Sequence, residues 1–245
     1  MGVRYSNKEG TSAAHMPSRD ESIRLLLAAL DGGVTFFDTA SSYGPPGDPH
    51  YCERLIAEAL EARPAAAPRV VVATKGGFQR TTEMSTGWRP LVPKGTGAKE
   101  VARRYEQEIR DSRRALGRPI GLWQWHHVEP GHIEVVMQVA RRMQEEGVIE
   151  RIGVCNATLA EVKAARRVAP RLASVQNRFS LYERGAADRA TPGQVPKKAS
   201  LAGVIDYCAE HGLAFIPHGE LGGLNSRDGR RDLARDFPAL AAMAA

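Results

Sequence analysis

What most constrains this chain is a strict alternation between short apolar runs and longer amphipathic ones. Six runs have strand character: Val34 to Phe37, Arg69 to Thr74, Ile120 to Trp125, Arg151 to Cys155, Ala173 to Gln176 and Leu213 to Pro217. Seven stretches have helical period: Ser18 to the stop at Asp31-Gly32-Gly33, Cys52 to Ala62, Ala98 to Leu116, Ile133 to Glu146, Leu159 to Val168, Leu201 to His211, and Arg231 onward. Continuous runs such as Val70-Val71-Val72 are what strands buried on both faces look like, and βαβα alternation of such strands requires a parallel sheet wrapped by helices. A doubly wound sheet would carry a glycine-rich phosphate turn after an early strand. No GxGxxG is present, so the pattern predicts an α/β fold of the TIM-type (β/α) barrel class, with about six parallel strands, seven helices and one domain over residues 1–245.

Several strand-like runs end in groups that do chemistry. The first stops at Asp38, and Tyr43 follows in a turn closed by Gly44-Pro45-Pro46; the others end at Lys75, His126 and Asn156. Parallel neighbouring strands would gather Asp38, Tyr43, Lys75 and His126 around one mouth. Each also has an ordinary reading: Asp38 as a strand-end cap, Tyr43 as a turn aromatic packed on Pro45, Lys75 as an exposed cation. His126, His127, Glu129 and His132 do not have the spacing of a zinc signature, and the cysteines Cys52, Cys155 and Cys208 are too far apart for a redox or metal pair, so no metal is expected.

The net charge of +6 comes mainly from arginine pairs along helices, Arg103-Arg104 to Arg166-Arg167, and without interleaved aromatics these read as solvated faces, not a nucleic-acid surface. No apolar run is long enough to span a bilayer and the first sixteen residues do not resemble a signal peptide, so a soluble, cytoplasmic protein with no membrane partner is expected. Two stretches have no period: Gly76 to Gly97, with Trp88, is read as a long functional loop, and Glu183 to Lys198 as an irregular insertion.

Taken together, DTASSYG, VVVATKGG, LWQWHHVEP, GVIERIGVCNAT and SVQNRFSL resemble, in order, the motifs of the aldo-keto reductases, from about Asp20 to the end of the chain. The resemblance implies a (β/α)₈-barrel reductase of a small-molecule carbonyl substrate that uses NADPH. It implies Tyr43 as proton donor, with Lys75 favouring the phenolate, Asp38 holding the lysine charged, and His126 orienting the substrate oxygen. Asn156 and Gln176 would hold the nicotinamide carboxamide, with His218, Leu221 and Gly223 also on the cofactor, and Trp88 and His127 facing the substrate. Trp88, Trp123 and Trp125 are candidate aromatic walls, although Trp123 and Trp125 alternate within one strand.

The chain also departs from the family pattern. It begins where the family's first strand would end and stops after the seventh, without the segment that clamps the adenosine 2′-phosphate. His218-Gly219-Glu220-Leu221 stands in place of an aromatic followed by Ser-Pro-Leu, and it brings a carboxylate toward the pyrophosphate site, with Arg227, Arg230 and Arg231 downstream. Six strands leave two sheet edges to cover, hence an expected homo-oligomer. Two further readings accompany the reductase: a cofactor-independent acid-base enzyme of dehydratase, cyclase or isomerase type on the same cluster, and a non-catalytic binding protein.

Overall fold

A computed structural model describes residues 17–81, 88–182, 184–186, 203–220, 237 and 239. The elements run α1 (Arg19–Asp31), β1 (Phe36–Asp38), α2 (Tyr51–Glu61), β2 (Val71–Gly76), β3 (Phe78–Arg80), β4 (Trp88–Pro90), α3 (Ala98–Leu116), β5 (Leu122–Trp125), α4 (Ile133–Glu145), β6 (Ile152–Cys155), α5 (Leu159–Val168), β7 (Leu172–Arg178), α6 (Val204–His211) and β8 (Ala214–His218). Six strands form one parallel sheet in the order β1-β2-β5-β6-β7-β8. It curls into a half-barrel with successive helices packed on one another along its outer face. This is an incomplete TIM-type barrel. Six helices fall among the described residues; the seventh predicted helix, from Arg231, lies outside them apart from Phe237 and Ala239, and the predicted insertion from Glu183 lies almost wholly outside them.

The helix ends follow from local chemistry. Ser18 and Glu21 form a reciprocal capping box that starts α1, and Thr158 and Glu161 form another that starts α5. Before that second box, Asn156 takes a left-handed φ of 53°, which asparagine tolerates, and this turns the chain from β6 into α5. The paired arginines bind carboxylates, as helix-surface charges do: Arg103 and Arg104 share Glu100, Arg110 bridges Glu106 and Glu146, and Arg142 reaches Glu106.

Outward residues of β5 make the core. Trp123 and Trp125 are completely buried, both edge-on to Tyr105 of α3, and Trp125 Nε1 donates to the Tyr105 hydroxyl at 2.8 Å. The two tryptophans are therefore core rather than substrate walls. Inward residues build a polar row by register, Lys75 opposite Gln124, Gln124 opposite Gly153, and Gly153 opposite Ser174. Gly153 belongs there because a β-carbon would come within 2.3 Å of Ser174 Oγ.

Central strands β5 and β6 are buried throughout, whereas β1 exposes Phe36 at 42% and β8 is only half-buried. These two strands are the sheet edges, and no pairing between them occurs among the described residues. The stretch from Gly76 to Gly97 is not one irregular loop, because β3 and β4 pair antiparallel within it: Phe78 lies opposite Pro90 and Arg80 opposite Trp88. Each strand has three residues, too few to show a period of two.

Candidate active site

After β1 the chain does not leave the sheet at once. Thr39 N donates to Ala73 O at 2.8 Å and Ser41 N to Lys75 O at 3.0 Å, so the loop climbs beside β2 and delivers Tyr43 above its C-terminal end. Lys75 points into the half-barrel with 1% of its side chain exposed, Nζ donating to Asp38 Oδ2 at 2.6 Å and to Thr39 O at 3.0 Å. It is not the exposed cation that its position alone allowed. Asp38 is 32% exposed in its side chain, and its other oxygen accepts from Gln124 Nε2 at 3.2 Å.

Lys75 Nζ lies 5.2 Å from the centre of the Tyr43 ring. That ring packs edge-on against His126 at 5.8 Å and Trp88 at 6.1 Å, not simply on Pro45 as a turn aromatic would. Burial pulls the Lys75 ammonium down, yet Tyr43 and Asp38 beside it outweigh burial and its pKa stands above the ordinary lysine value. The structure thus brings Asp38, Lys75, Tyr43 and His126 into one cluster.

A second group lies along the ends of the next three strands. Asn156 Nδ2 donates to His126 O at 2.8 Å and lies 3.3 Å from His127 Nε2, while Asn156 Oδ1 is 2.9 Å from His218 Nε2. Asn156 N donates to Gln176 O at 2.9 Å, which places the buried Gln176 alongside, and Asn177 fixes the turn by two bonds to the Ala157 backbone. Glu220 is described and exposed; Leu221, Gly223 and the arginines 227, 230 and 231 lie outside the described residues. Trp88 and His127 border the mouth: Phe78 packs on His127 at 5.0 Å, and Arg80 covers the Trp88 ring at 4.8 Å.

Sequence reasoning missed four participants: Gln124, Ser174, Ser41 and Glu108. Gln124 was legible as the inward residue between two outward tryptophans; Ser174 Oγ donates to Gln124 Oε1 at 3.4 Å and extends the polar row. Burial raises the three thiols, Cys52 and Cys208 to about 11 and Cys155 to about 12, so they stay protonated at neutrality. A cavity of about 440 Å³ lies beside the cluster, bordered by Ser41, Ser42, Phe78, Arg80, Arg89 and Glu108. It is not lined by Lys75, Asp38 or His126, so the hydrogen-bonded cluster, not that cavity, marks the candidate centre.

A curled parallel sheet with polar and titratable side chains gathered at the C-terminal ends of its strands defines a protein of the (β/α)-barrel class. Its particular family follows from a profile described as "Aldo/keto reductase family", which matches residues 7–238: the chain belongs to the aldo/keto reductases. It is 33% identical over 202 residues to an uncharacterised oxidoreductase of Schizosaccharomyces pombe, covering 81% of this chain and 55% of that one. To the pyridoxine 4-dehydrogenase of Escherichia coli it is 28% identical over 232 residues, covering 91% and 72%. Among solved structures, a glycerol dehydrogenase from Gluconobacter oxydans superposes with a TM-score of 0.65 at 24% identity, covering 92% of this chain and 64% of that one. An aldo-keto reductase from Klebsiella pneumoniae in complex with NADPH superposes at 0.62 with 19% identity, covering 91% and 67%. The chain therefore spans little more than half the length of the yeast relative. Among the described residues no helix is long and apolar enough to cross a membrane.

Proposed function

We propose that this chain is an oxidoreductase that reduces a carbonyl with NADPH, with Tyr43 as the proton donor. The observation that carries the reading is the buried Lys75 ammonium, paired with the part-exposed Asp38 and lying 5.2 Å from the centre of the Tyr43 ring, with His126 edge-on to that ring. A phenol with its ordinary pKa near 10 gives up a proton reluctantly at neutral pH. An ammonium beside it favours the phenolate that Tyr43 becomes, and Asp38 keeps that ammonium charged despite its burial. In this reading His126, edge-on to the Tyr43 ring, orients the carbonyl oxygen toward the hydroxyl, and Trp88, edge-on to both rings, forms a wall of the same mouth.

The residues present fit the nicotinamide end of the cofactor. Two carboxamides, Asn156 and Gln176, stand at adjacent strand ends and offer the donor and acceptor that another carboxamide needs, and His218 supplies a flat ring beside them. The bound dinucleotide supplies the hydride. Asn156 would hold the carboxamide through the Oδ1 that now faces His218 Nε2, while the bond from its Nδ2 to His126 O keeps the side chain oriented.

Calorimetric titration of the purified protein with NADPH, followed by turnover of an aromatic aldehyde, tests this. Micromolar binding with turnover that Tyr43→Phe abolishes is the expected result. Absence of binding at millimolar cofactor removes the reductase reading and leaves the cofactor-independent acid-base enzyme on the same four residues.

A further inference from the structure

We propose that Glu108 is a positioning residue for Tyr43 and Lys75, its buried carboxyl tying the loop that carries the phenol to the strand end that carries the ammonium. The proposal rests on the reductase reading above. Glu108 sits on α3, on the outer face of the sheet, and its carboxyl oxygens bind none of the four clustered side chains directly. It acts through backbone and hydroxyl groups. Oε1 accepts from the Ser41 hydroxyl at 2.9 Å, and Oε2 accepts from Gly77 N at 2.8 Å. Ser41 lies two residues before Tyr43, and Gly77 two after Lys75.

Ser41 is itself bound to the lysine's peptide: its N–H donates to Lys75 O at 3.0 Å and its Oγ is 3.1 Å from the same oxygen. The chain between lysine and carboxyl is shaped for this contact, because a β-carbon on Gly76 would fall 2.5 Å from Glu108 Oε2 and 3.0 Å from Trp123 Nε1. A glycine there is what lets a helix carboxylate reach the strand backbone.

Both protonation states of the acid have a hydrogen-bonding solution, and they differ at Lys75. As a neutral acid, Glu108 donates to Ser41 Oγ, whose hydroxyl then donates to Lys75 O, while Gly77 N–H donates to the other carboxyl oxygen. As a carboxylate, it draws the Ser41 hydroxyl to itself and leaves Lys75 O with the Ser41 N–H. Burial first of all lifts this carboxyl, to about 7, against the opposing bonds from Ser41 and Gly77 and the nearby His50, with Glu53 adding to the rise. The groups facing it are His50 and Glu53 from the α2 side, held together at 2.5 Å, Tyr105 on α3 itself, and Arg80, Arg89, Arg103, Arg104 and Asp111 around the adjoining cavity. The two bonding patterns therefore exchange near neutrality.

The test uses Glu108→Leu and Glu108→Gln in the full chain, with NADPH and an aromatic aldehyde as probe, alongside the ¹⁵N–¹H shift of Gly77 followed against pH. Glu108→Leu is expected to lower kcat by at least about ten-fold with KM and NADPH affinity within two-fold. Glu108→Gln, which donates to Ser41 and accepts from Gly77 as the neutral acid does, is expected to recover most of that kcat and to lose the step near neutrality in the wild-type kcat–pH profile. The Gly77 signal should titrate in the wild type and stay flat in Glu108→Gln. Wild-type kcat in Glu108→Leu, or a Gly77 signal that does not move with pH in the wild type, overturns the proposal. A wild type that turns over no aldehyde and binds no NADPH refutes the reductase reading instead, and the Gly77 titration then decides the bracing by itself. Should Glu108→Leu fail to fold, the glutamine profile and the same signal decide.

Discussion

Replacing Glu108 by glutamine removes a titrating group from the core, and the effect on stability has a definite sign. The carboxyl moves from an ordinary 4.5 to about 7 on folding, chiefly through burial. Because the folded value is the higher, the unfolded chain releases this proton first as pH rises. Stability from this group is intact below about pH 4.5, falls between the two values, and levels off above about pH 7. A difference of two to three units corresponds to about 3 kcal/mol in full, and most of it, about 2–3 kcal/mol, falls between pH 5 and pH 8. Glutamine cannot titrate, so subtracting its stability curve from the wild type cancels the other groups and isolates Glu108. Urea unfolding of both proteins at several pH values measures the difference directly. The variant should gain on the wild type by about 2–3 kcal/mol from pH 5 to pH 8, a relative rise in Tm of roughly 5–10 °C for a chain this size. Parallel curves would mean that the carboxyl is ionised in the folded protein across the range, and the neutral-acid bonding pattern would be wrong.

Tyr43→Phe should lower kcat by at least about a hundred-fold while leaving the NADPH dissociation constant within two-fold, since the lost hydroxyl moves a proton and holds no cofactor; stopped-flow turnover and calorimetry check both halves. Asp38→Asn leaves the buried Lys75 ammonium without its countercharge, and with Asp38 32% exposed the penalty is expected near 2 kcal/mol, read by chemical denaturation. Gly153→Ala forces a methyl against Ser174 Oγ and Gln124 Cγ, at 2.3 and 3.1 Å, and should cost about 1–3 kcal/mol in a thermal melt. Adding Ser174→Ala should return part of that loss; no recovery would place the clash elsewhere.

Periodicity locates elements well and partners poorly, and this chain shows where the line falls. The six sheet strands were legible as short apolar runs between helical stretches, and the central ones, such as Leu122 to Trp125, are buried on both faces. Asp38, Lys75 and His126 were legible because they interrupt such runs at the end where a parallel sheet opens. The β3–β4 hairpin was not, because two three-residue strands containing Arg80, Arg89 and Pro90 carry neither length nor alternation. Glu108 is the instructive miss. Within a helix of many charges it reads as one more solvated carboxylate, yet the buried stripe of α3 is Val101, Tyr105, Glu108, Ile109, Ser112 and Leu116, and the acid falls on it. Glu53 stands in the same way among Leu55, Ile56, Ala59 and Leu60 of α2, where it meets Thr74 at 2.5 Å. A carboxylate on an apolar stripe must find donors or stay protonated, so spacing alone marks both residues as anomalies. The partners themselves lie elsewhere in the sequence: Thr74 of β2, beside the N-cap His50 of its own helix, for Glu53, and both the Ser41 loop and the Gly77 end of β2 for Glu108. Only the assembled sheet brings those partners within reach, Thr74 of β2 to Glu53 and the two ends of the candidate catalytic segment to Glu108.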